Sequence, residues 1–155
     1  MTFENTLFTS FASNERVLQF LLSGLVILLI YLIRERLLLN KNRQKIKVRV
    51  HVNGTRGKSS TTRLAAAVLR SKYPTVAKTT GTLPRRLLED GSGVPIIRIG
   101  SANISEQIKT LIWAGKRNAE AIVLECMALR PEYQALCERE IIQATIAIIT
   151  NIRAD

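Results

Sequence analysis

Residues 48–64 read VRVHVNGTRGKSSTTRL, and this stretch constrains the fold of the chain more than any other. A β-branched alternating segment is followed by a glycine-rich turn and then by a run that favours helix. Gly54 and Gly57 allow close approach of the backbone, and the start of the following helix adds partial positive charge. A strand, a loop and a helix in this order are the context that a phosphate-binding loop requires.

The loop predicts how a nucleotide would be held. Lys58 is expected to act in catalysis by reaching the β- and γ-phosphates, and the Ser59 hydroxyl is expected to contact Mg²⁺. The general pattern G-x-x-x-x-G-K-[ST] asks for glycine at position 52, where this chain has Val52, so the loop is a shortened variant. The alternative is a glycine-rich turn with a chance lysine. The predicted nucleotide-binding residues of the loop are Gly54, Thr55, Arg56, Gly57, Lys58, Ser59 and Ser60.

Strand and helix patterns alternate along the rest of the chain and predict an α/β domain with a mainly parallel sheet. The expected strands are Ile46–Val52, Thr75–Thr79, Ala121–Cys126 and Thr145–Thr150, the last two of them buried. The expected helices are Ser59–Arg70, one after Asn103 and one from Pro131. Asn103 and Glu106 are spaced as a capping box, and residues 81–95 are expected to form a long loop.

An acidic side chain, Glu125, ends the third expected strand, where ligands bind in parallel sheets. A carboxylate at the end of an apolar strand is costly unless a positive charge compensates it. A metal ion near the phosphates would do so, since hard cations prefer oxygen ligands. An ion pair with Arg56 or Arg130 is the alternative.

Polar side chains also follow the second and fourth expected strands. Thr80 and Thr82 would donate to a phosphate or contact a metal ion, or they would cap a turn. Asn151 would bind the nucleotide base, or it too would cap a turn. The metal ligands predicted from the strand ends and the loop are Ser59, Thr80 and Glu125.

A run of 17 residues, Val17–Ile33, contains only Gln19 and Ser23 as polar residues and predicts a membrane helix. A cleaved signal peptide is disfavoured, because no basic residue precedes Glu15 and no small-x-small cleavage site follows the run. A buried core helix is the other alternative. The predicted division is an extracytoplasmic N-terminus at 1–16, a transmembrane helix at 17–34, a basic juxtamembrane linker at 35–47 and a partial nucleotide-binding domain at 48–155.

The formal net charge of +11 is concentrated after the apolar run, because residues 34–49 carry +6 of it. No aromatic residue interrupts these charges, so a membrane-proximal anchor explains them more simply than a nucleic-acid partner does. No nucleic-acid partner is therefore expected. The positive-inside rule places this side in the cytoplasm, which predicts a single-pass cell-membrane protein with its N-terminus outside.

Three further kinds of side chain are interpreted as structural. Cys126 and Cys137 are too few for a disulfide framework and are expected to be reduced thiols in a cytosolic domain. His51 is expected to be a surface or satisfied strand histidine and not a ligand. Trp113 is expected to pack in a core or an interface and not to stack on a ligand.

Four separated motifs resemble one known family. HVNGTRGKSSTTRL, AKTTGTLPR, VLECMAL with PEYQ, and ITNIRAD occur in the order found in poly-γ-glutamate synthases of the PgsB/CapB family. That family is a membrane-tethered relative of the Mur ligases and the folylpolyglutamate synthetases. The similarity runs from about Val50 to Asp155, and the apolar run lies where the family has its anchor.

The resemblance implies an ATP-dependent amide ligase that also needs Mg²⁺. ATP would phosphorylate the terminal carboxylate of a glutamate chain, and the amine of an incoming glutamate would attack the acyl phosphate. Glu125 matches the acidic Mg²⁺ ligand of Mur-type ligases, Thr80 loosely matches a hydroxyl near a second metal site, and Asn151 matches the asparagine that opens the last motif. The family also implies partner membrane subunits for polymer synthesis and export.

The resemblance covers only the N-terminal part of such an enzyme. In relatives, a histidine and then an aspartate follow the position of Asp155, and a modified lysine and a C-terminal part come later. The 155-residue chain alone is therefore expected to be inactive as a ligase. A non-catalytic membrane-anchored assembly subunit and another membrane-bound phosphate-loop NTPase are the alternative functions.

Overall fold

The computed structural model describes residues 3–81, 83–98, 100, 103–128 and 130–152, with side chains from Asn14 onward. Thr82, a possible ligand or turn cap by its position in the sequence, lies outside this part. The chain divides into two compact units, Met1–Leu38 and Leu39–Asp155. In chain order the elements are α1 (Phe3–Lys45), β1 (Val48–Asn53), α2 (Lys58–Arg70), β2 (Thr75–Thr79), β3 (Arg85–Leu87), β4 (Gly93–Pro95), α3 (Ser105–Lys116), β5 (Ala121–Glu125), α4 (Pro131–Leu136), a π-helical segment (Cys137–Ile142) and β6 (Ile146–Ile149).

The first unit consists of the N-terminal part of α1. Within this helix, Asn14–Lys45 contains the one segment of the described chain that is long and apolar enough to cross a membrane. Its apolar side chains from Val17 to Ile33 are exposed, with Phe20 at 77% and Leu32 at 48%. A helix buried in a protein core would hide these side chains, so the exposure argues against that alternative. A membrane anchor at 17–34 is compatible with this helix and stays a prediction.

The second unit is built on a six-stranded sheet with the strand order β4-β3-β2-β5-β1-β6. The neighbours from β2 to β6 pair in parallel, which confirms the predicted α/β class and its mainly parallel sheet. The strands β3 and β4 lie where one long loop was predicted, and that expectation is wrong. They form an antiparallel hairpin beside β2, closed by a hydrogen bond of 2.8 Å from the Leu88 N–H to the Ser92 carbonyl.

Apolar side chains on the two faces of the sheet form two cores. On one face, Ile122 and Leu124 of β5 pack with Leu111 of α3 and Ile142 of the π-helical segment. On the other face, Val123 packs in a smaller cluster that includes α2. The alternation along β5 follows from the two-residue period of a strand, which turns successive side chains to opposite faces. A fully buried side chain of this size contributes about 1.5–3 kcal/mol, so β5 is central to stability.

The last strand differs from its prediction. β6 was expected to be buried, but Ile146 is 49% and Ile149 is 64% exposed. β6 lies at the edge of the sheet and pairs only with β1 among the described strands. An apolar composition predicts a strand correctly at this position, but it does not show where that strand lies in the sheet.

The predicted capping box is also wrong. Asn103 accepts a hydrogen bond from the Ser105 N–H at 2.9 Å, but α3 begins without a side-chain cap. The Glu106 carboxylate does not return to Asn103 and instead pairs with Arg98 at 2.7 Å and Lys78 at 3.1 Å. Two cations compete better for a carboxylate than one backbone amide does.

The residues interpreted as structural are mostly as expected. Cys126 and Cys137 are unpaired and buried, and burial raises the pKa of Cys137 to about 12. Trp113 packs against the core, with the Arg117 guanidinium 5.4 Å from its ring centre. His51 differs from its expectation, because it is buried and only partly satisfied: its Nδ1 atom lies 2.9 Å from the Glu138 carboxylate, but its buried Nε2 atom has no hydrogen-bond partner in the described part of the chain. Burial lowers the pKa of His51, so the neutral imidazole donates through Nδ1.

Candidate phosphate and metal site

The carboxyl ends of two strands and the first turn of α2 meet at one carboxylate. The Glu125 Oε2 atom accepts hydrogen bonds from the Ser59 hydroxyl at 2.8 Å and from the Thr80 N–H at 2.7 Å. β5 lies between β1 and β2 and runs parallel to both, so the three chain exits reach the same edge of the sheet. The three predicted metal ligands therefore lie together, although Thr80 makes this contact through its amide and not its hydroxyl.

Glu125 is 3% exposed, and no described cation pairs with it. The alternative of an ion pair with Arg56 or Arg130 is therefore not realised in the described part of the chain. Two donors replace part of the hydration that the carboxylate loses, since hydrogen bonds to an ionised acceptor are the strong ones. The site leaves a buried carboxylate that a cation would stabilise further.

The phosphate loop, Gly54–Ser60, connects β1 to α2 as predicted. Gly54 has a φ of 130° and Gly57 a φ of 82°, which are values that L side chains rarely adopt. Lys58 begins α2, and its ammonium group donates to the Gly54 carbonyl at 2.6 Å. The lysine is thus folded over its own loop, within the segment where phosphates would bind.

Asn151 holds the loop from the other side. Its Oδ1 atom accepts hydrogen bonds from the Thr55 N–H at 3.1 Å and the Arg56 N–H at 3.0 Å. Asn151 therefore caps a turn, the second of its two predicted roles. Its side chain occupies the amides of Thr55 and Arg56, which were predicted to bind phosphate. The N–H groups of the first turn of α2, including that of Ser60, have no intrahelical acceptors by helix geometry and point toward the loop. Phosphate binding is therefore expected at residues 57–60, and base binding by Asn151 stays a prediction.

A cavity of about 490 Å³ opens beside the loop. Its volume falls in the range typical of small-ligand sites. Gln134, which the sequence did not single out, accepts a hydrogen bond from Asn53 at 2.8 Å and donates to Ala128 at 3.2 Å. The one sequence signal for Gln134 was that it ends PEYQ, a motif shared with the PgsB/CapB family. The residues that line the cavity are Asn53, Gly54, Thr55, Lys58, Ala128, Gln134, Ile149, Asn151 and Ile152.

The donor set fits Mg²⁺ when phosphates bind beside it. Mg²⁺ is commonly held by one or two carboxylates together with substrate phosphates and water. Glu125 and Ser59 offer one carboxylate and one hydroxyl oxygen 2.8 Å apart. The described residues contain no cluster of three or more His, Cys, Asp or Glu that could hold a metal by itself. A metal at this position would therefore depend on the nucleotide for its remaining ligands.

Comparison with known proteins identifies the family. Residues 52–155 match the Mur ligase middle domain. This chain belongs to the Mur ligase family. It is 40% identical over 133 residues to "Capsule biosynthesis protein CapB" of Bacillus anthracis, a match covering 84% of this chain and 29% of that protein. It is also 40% identical over 138 residues to "PGA synthase CapB" of Bacillus subtilis (strain 168), covering 87% of this chain and 35% of that protein.

These similarities confirm the resemblance to the PgsB/CapB family predicted from the four motifs. The chain spans about a third of the length of the curated relatives it matches. The match to the middle domain begins at Val52 and includes the whole phosphate loop and Glu125. The phosphate loop and the buried carboxylate therefore both lie within a Mur ligase middle domain.

This member of the Mur ligase family also has a buried lysine that sequence reasoning missed. The Lys78 side chain is fully buried, and its ammonium group lies 3.1 Å from Glu106 and 3.4 Å from the Gln107 side-chain oxygen. Burial lowers the pKa of Lys78 below its ordinary value of 10.5, although Glu106 opposes the shift. Burial alone would raise the pKa of Glu106, but Arg98 and Lys78 lower it below its ordinary value.

A second cavity, termed the basic cavity, lies beside this ion pair and has a volume of about 620 Å³. The β3–β4 segment and the residues after it form one wall, and the start of α3 forms the other. The charged residues that line it are Lys78, Arg86, Arg98, Glu106 and Lys109.

Proposed function

We propose that this chain supplies the nucleotide side of an ATP-dependent amide ligase that extends a poly-γ-glutamate chain. The observation that carries the proposal is the convergence of Ser59, Thr80 and Glu125 beside the phosphate loop, at the edge where parallel sheets bind ligands. The printed names of the two relatives, a capsule biosynthesis protein and a PGA synthase, support glutamate and its polymer as substrates.

In the proposed reaction, the γ-phosphoryl group of ATP passes to the terminal carboxylate of the polymer, giving ADP and an acyl phosphate. The amine of an incoming glutamate then displaces phosphate, forms the amide bond and loses a proton. Lys58 would leave the Gly54 carbonyl and neutralise negative charge on the phosphoryl oxygens. The amides at the start of α2 would hold the β-phosphate.

Glu125 and Ser59 would hold Mg²⁺, which neutralises charge on the phosphates. The Glu125 carboxylate and the Ser59 hydroxyl would be the protein oxygens available to the ion. Thr80 would keep the carboxylate oriented through its N–H. A dry site is needed as well, because an acyl phosphate hydrolyses readily.

The proposal includes a membrane location. The exposed apolar helix and the basic residues after it support a single-pass anchor with the N-terminus outside and the ligase part in the cytoplasm. Other integral membrane subunits would deliver the polymer across the membrane. Protease added outside intact cells should remove a tag fused before Met1, and protection of that tag would contradict this orientation.

Replacement of Lys58 tests the nucleotide assignment. Lys58→Ala should weaken ATP binding and, in the chain continued past Asp155 by its own coding sequence, lower the ligase rate by roughly 10²-fold, because charge stabilisation at the phosphates is lost. Arg63→Ala is the matched control, since Arg63 is an exposed cation on the same helix.

Equal ATP affinity and equal ligase rate in Lys58→Ala and the unchanged chain would remove the assignment. ATP binding without glutamate ligation in the continued chain would instead favour an assembly subunit or another NTPase. Ligation should require a divalent cation, and Glu125→Gln should raise the concentration of Mg²⁺ needed for half-maximal rate, because Glu125 is the carboxylate on which Ser59 and Thr80 converge.

A further inference from the structure

The basic cavity carries positive charge that the described chain does not neutralise. Four basic side chains and one acidic side chain line it, a formal charge of +3. Glu106 is shared between Lys78 and Arg98, which leaves Arg86 and Lys109 without a carboxylate partner among the described residues. The Arg86 guanidinium lies 5.2 Å from the ring centre of Trp113, which holds it in place without neutralising it. The uncompensated positive charge suits the cavity to an anionic ligand.

The remaining lining indicates what kind of anion fits. Arginine side chains match carboxylates with paired donors, and the Arg86 guanidinium is such a group. Arg98 already binds Glu106 through Nε at 2.7 Å and Nη2 at 3.0 Å, so it contributes positive charge to the cavity wall. Ile96 and Ile97 add apolar surface against which methylene groups can pack. No aromatic residue of the described chain lines the cavity, so it lacks the stacking surface that a nucleobase would use. Carboxylates spaced along a chain with methylene groups meet all three conditions.

The basic cavity is connected to the phosphate site through β2 and α3. The Gln107 side chain accepts from Lys78 at 3.4 Å and donates to the Glu125 carbonyl at 3.0 Å. Two residues after Lys78, the Thr80 N–H binds the Glu125 carboxylate. Residues of β2 and α3 that line or support the cavity are therefore hydrogen-bonded to Glu125, at the sheet edge where phosphoryl transfer is proposed.

We infer that the basic cavity binds the α-carboxylates of the γ-linked glutamate chain behind its reacting end. The inference rests on the proposed function and names the place where the polymer is held. Arg86 and Lys109 contact successive carboxylates, and Lys78 fixes Glu106 so that Arg98 stays in the cavity wall and adds positive charge there. The cavity thereby selects a polymer over free glutamate, because several carboxylates bind at once.

The test is binding of a short, fluorescently labelled γ-linked glutamate oligomer to the chain in nanodiscs of zwitterionic lipid, followed by anisotropy. Lys109→Glu should weaken binding about tenfold, because an attractive charge becomes a repulsive one. The control is Lys116→Glu, the same change at an exposed position of α3 outside the cavity, which should leave binding unchanged. ATP binding, measured in the same samples, should be the same in both variants.

A second variant and three competitors complete the experiment. Arg86→Gln should also weaken oligomer binding, and circular dichroism should show that it remains folded. Unlabelled γ-linked oligomer should displace the probe at far lower carboxylate concentration than monomeric glutamate, α-linked oligomer or inorganic phosphate. Equal displacement by phosphate would show a general anion site and overturn the inference.

Two other outcomes separate this inference from the proposed function. Equal weakening by Lys109→Glu and Lys116→Glu would show attraction to the overall charge and would reject the cavity as the binding site. Suppose instead that the oligomer fails to bind while ATP binds and Lys58→Ala abolishes ATP binding. This result would reject the cavity as the polymer site but leave the nucleotide assignment intact. Failure of both ligands to bind would reject both.

Discussion

The buried ion pair between Lys78 and Glu106 predicts unequal costs for removing its two partners. Without the Glu106 charge, in Glu106→Gln, Lys78 keeps as its closest polar contacts only the Gln107 oxygen at 3.4 Å and the Met127 sulfur at 3.5 Å. Without the ammonium group, in Lys78→Met, Glu106 still pairs with Arg98 at 2.7 Å and is 18% exposed. One substitution therefore leaves an uncompensated buried charge and the other does not.

The expected free energies of unfolding follow from this asymmetry. Glu106→Gln should lower stability by about 3–5 kcal/mol, the usual cost of breaking a buried pair by removing one partner. Lys78→Met has a similar volume and removes the desolvated charge itself, so it should change stability by less than about 1.5 kcal/mol. The double variant should recover most of what Glu106→Gln loses, because the unpaired ammonium group is gone.

Urea denaturation of the chain in detergent micelles measures these changes. Trp113 is the single tryptophan of the chain and lies on α3 against the core, so its fluorescence reports on the second unit. Arg98→Gln, which leaves the Lys78–Glu106 contact in place, gives the separate contribution of the Arg98 pair. An equal loss of stability in Lys78→Met and Glu106→Gln would refute the claim that the unpaired ammonium group causes the difference.

The stability of Glu106→Gln should also depend on pH with a definite sign. The folded state lowers the pKa of Lys78 from 10.5, because burial disfavours the charged form. Between the lowered pKa and 10.5 the unfolded state binds more protons, so stability rises with pH through this window. This increase in stability with pH should be larger in Glu106→Gln than in the unchanged chain, because Glu106 no longer opposes the lowering of the Lys78 pKa. In Lys78→Met the part of the increase that Lys78 causes should be absent.

Two further predictions concern the loop and the histidine. Gly54→Ala should cost about 2–4 kcal/mol and abolish ATP binding, since φ is 130° and an added Cβ would meet the Asn151 backbone. Gly57→Ala, where φ is 82° and the space is open, should cost only about 1–2 kcal/mol, and equal losses in urea denaturation would contradict the close approach. Burial lowers the pKa of His51 below 6.5, so stability should fall as pH drops below about 6.5 toward the lowered pKa. His51→Gln should flatten that dependence in the same assay, and an unchanged slope would assign it to other groups.

The central parallel strands and the helix α2 could be predicted because their patterns are local. β5 is an apolar run that ends at Glu125. The helix α2 begins at Lys58, one residue before the expected start at Ser59. The hairpin of β3 and β4 was missed because each strand has three residues and Gly93 and Pro95 lie within it. Its pairing with β2 is set by tertiary contacts that no window of sequence contains.

The site was predictable to the extent that topology alone determines it. Strand ends in a parallel sheet share one edge, so Glu125 and Thr80 could be expected near Ser59. The contact of Asn151 with the loop amides could not be derived, because base binding and turn capping fit the same residue type. Lys78 was missed because an isolated lysine in a strand is ordinarily solvated, and the carboxylate that permits its burial lies 28 positions later in the chain.

The contact between Asn151 and the Thr55 amide joins residues 96 positions apart in the chain. A ribosome adding about 5–20 residues per second needs roughly 5–20 s to synthesise the stretch between them. During that interval the nascent loop lacks the acceptor that fixes its turn, even though its glycines and lysine have already been translated. The turn at Thr55 and Arg56 is therefore expected to reach its final geometry only after β6 has emerged and added to the sheet.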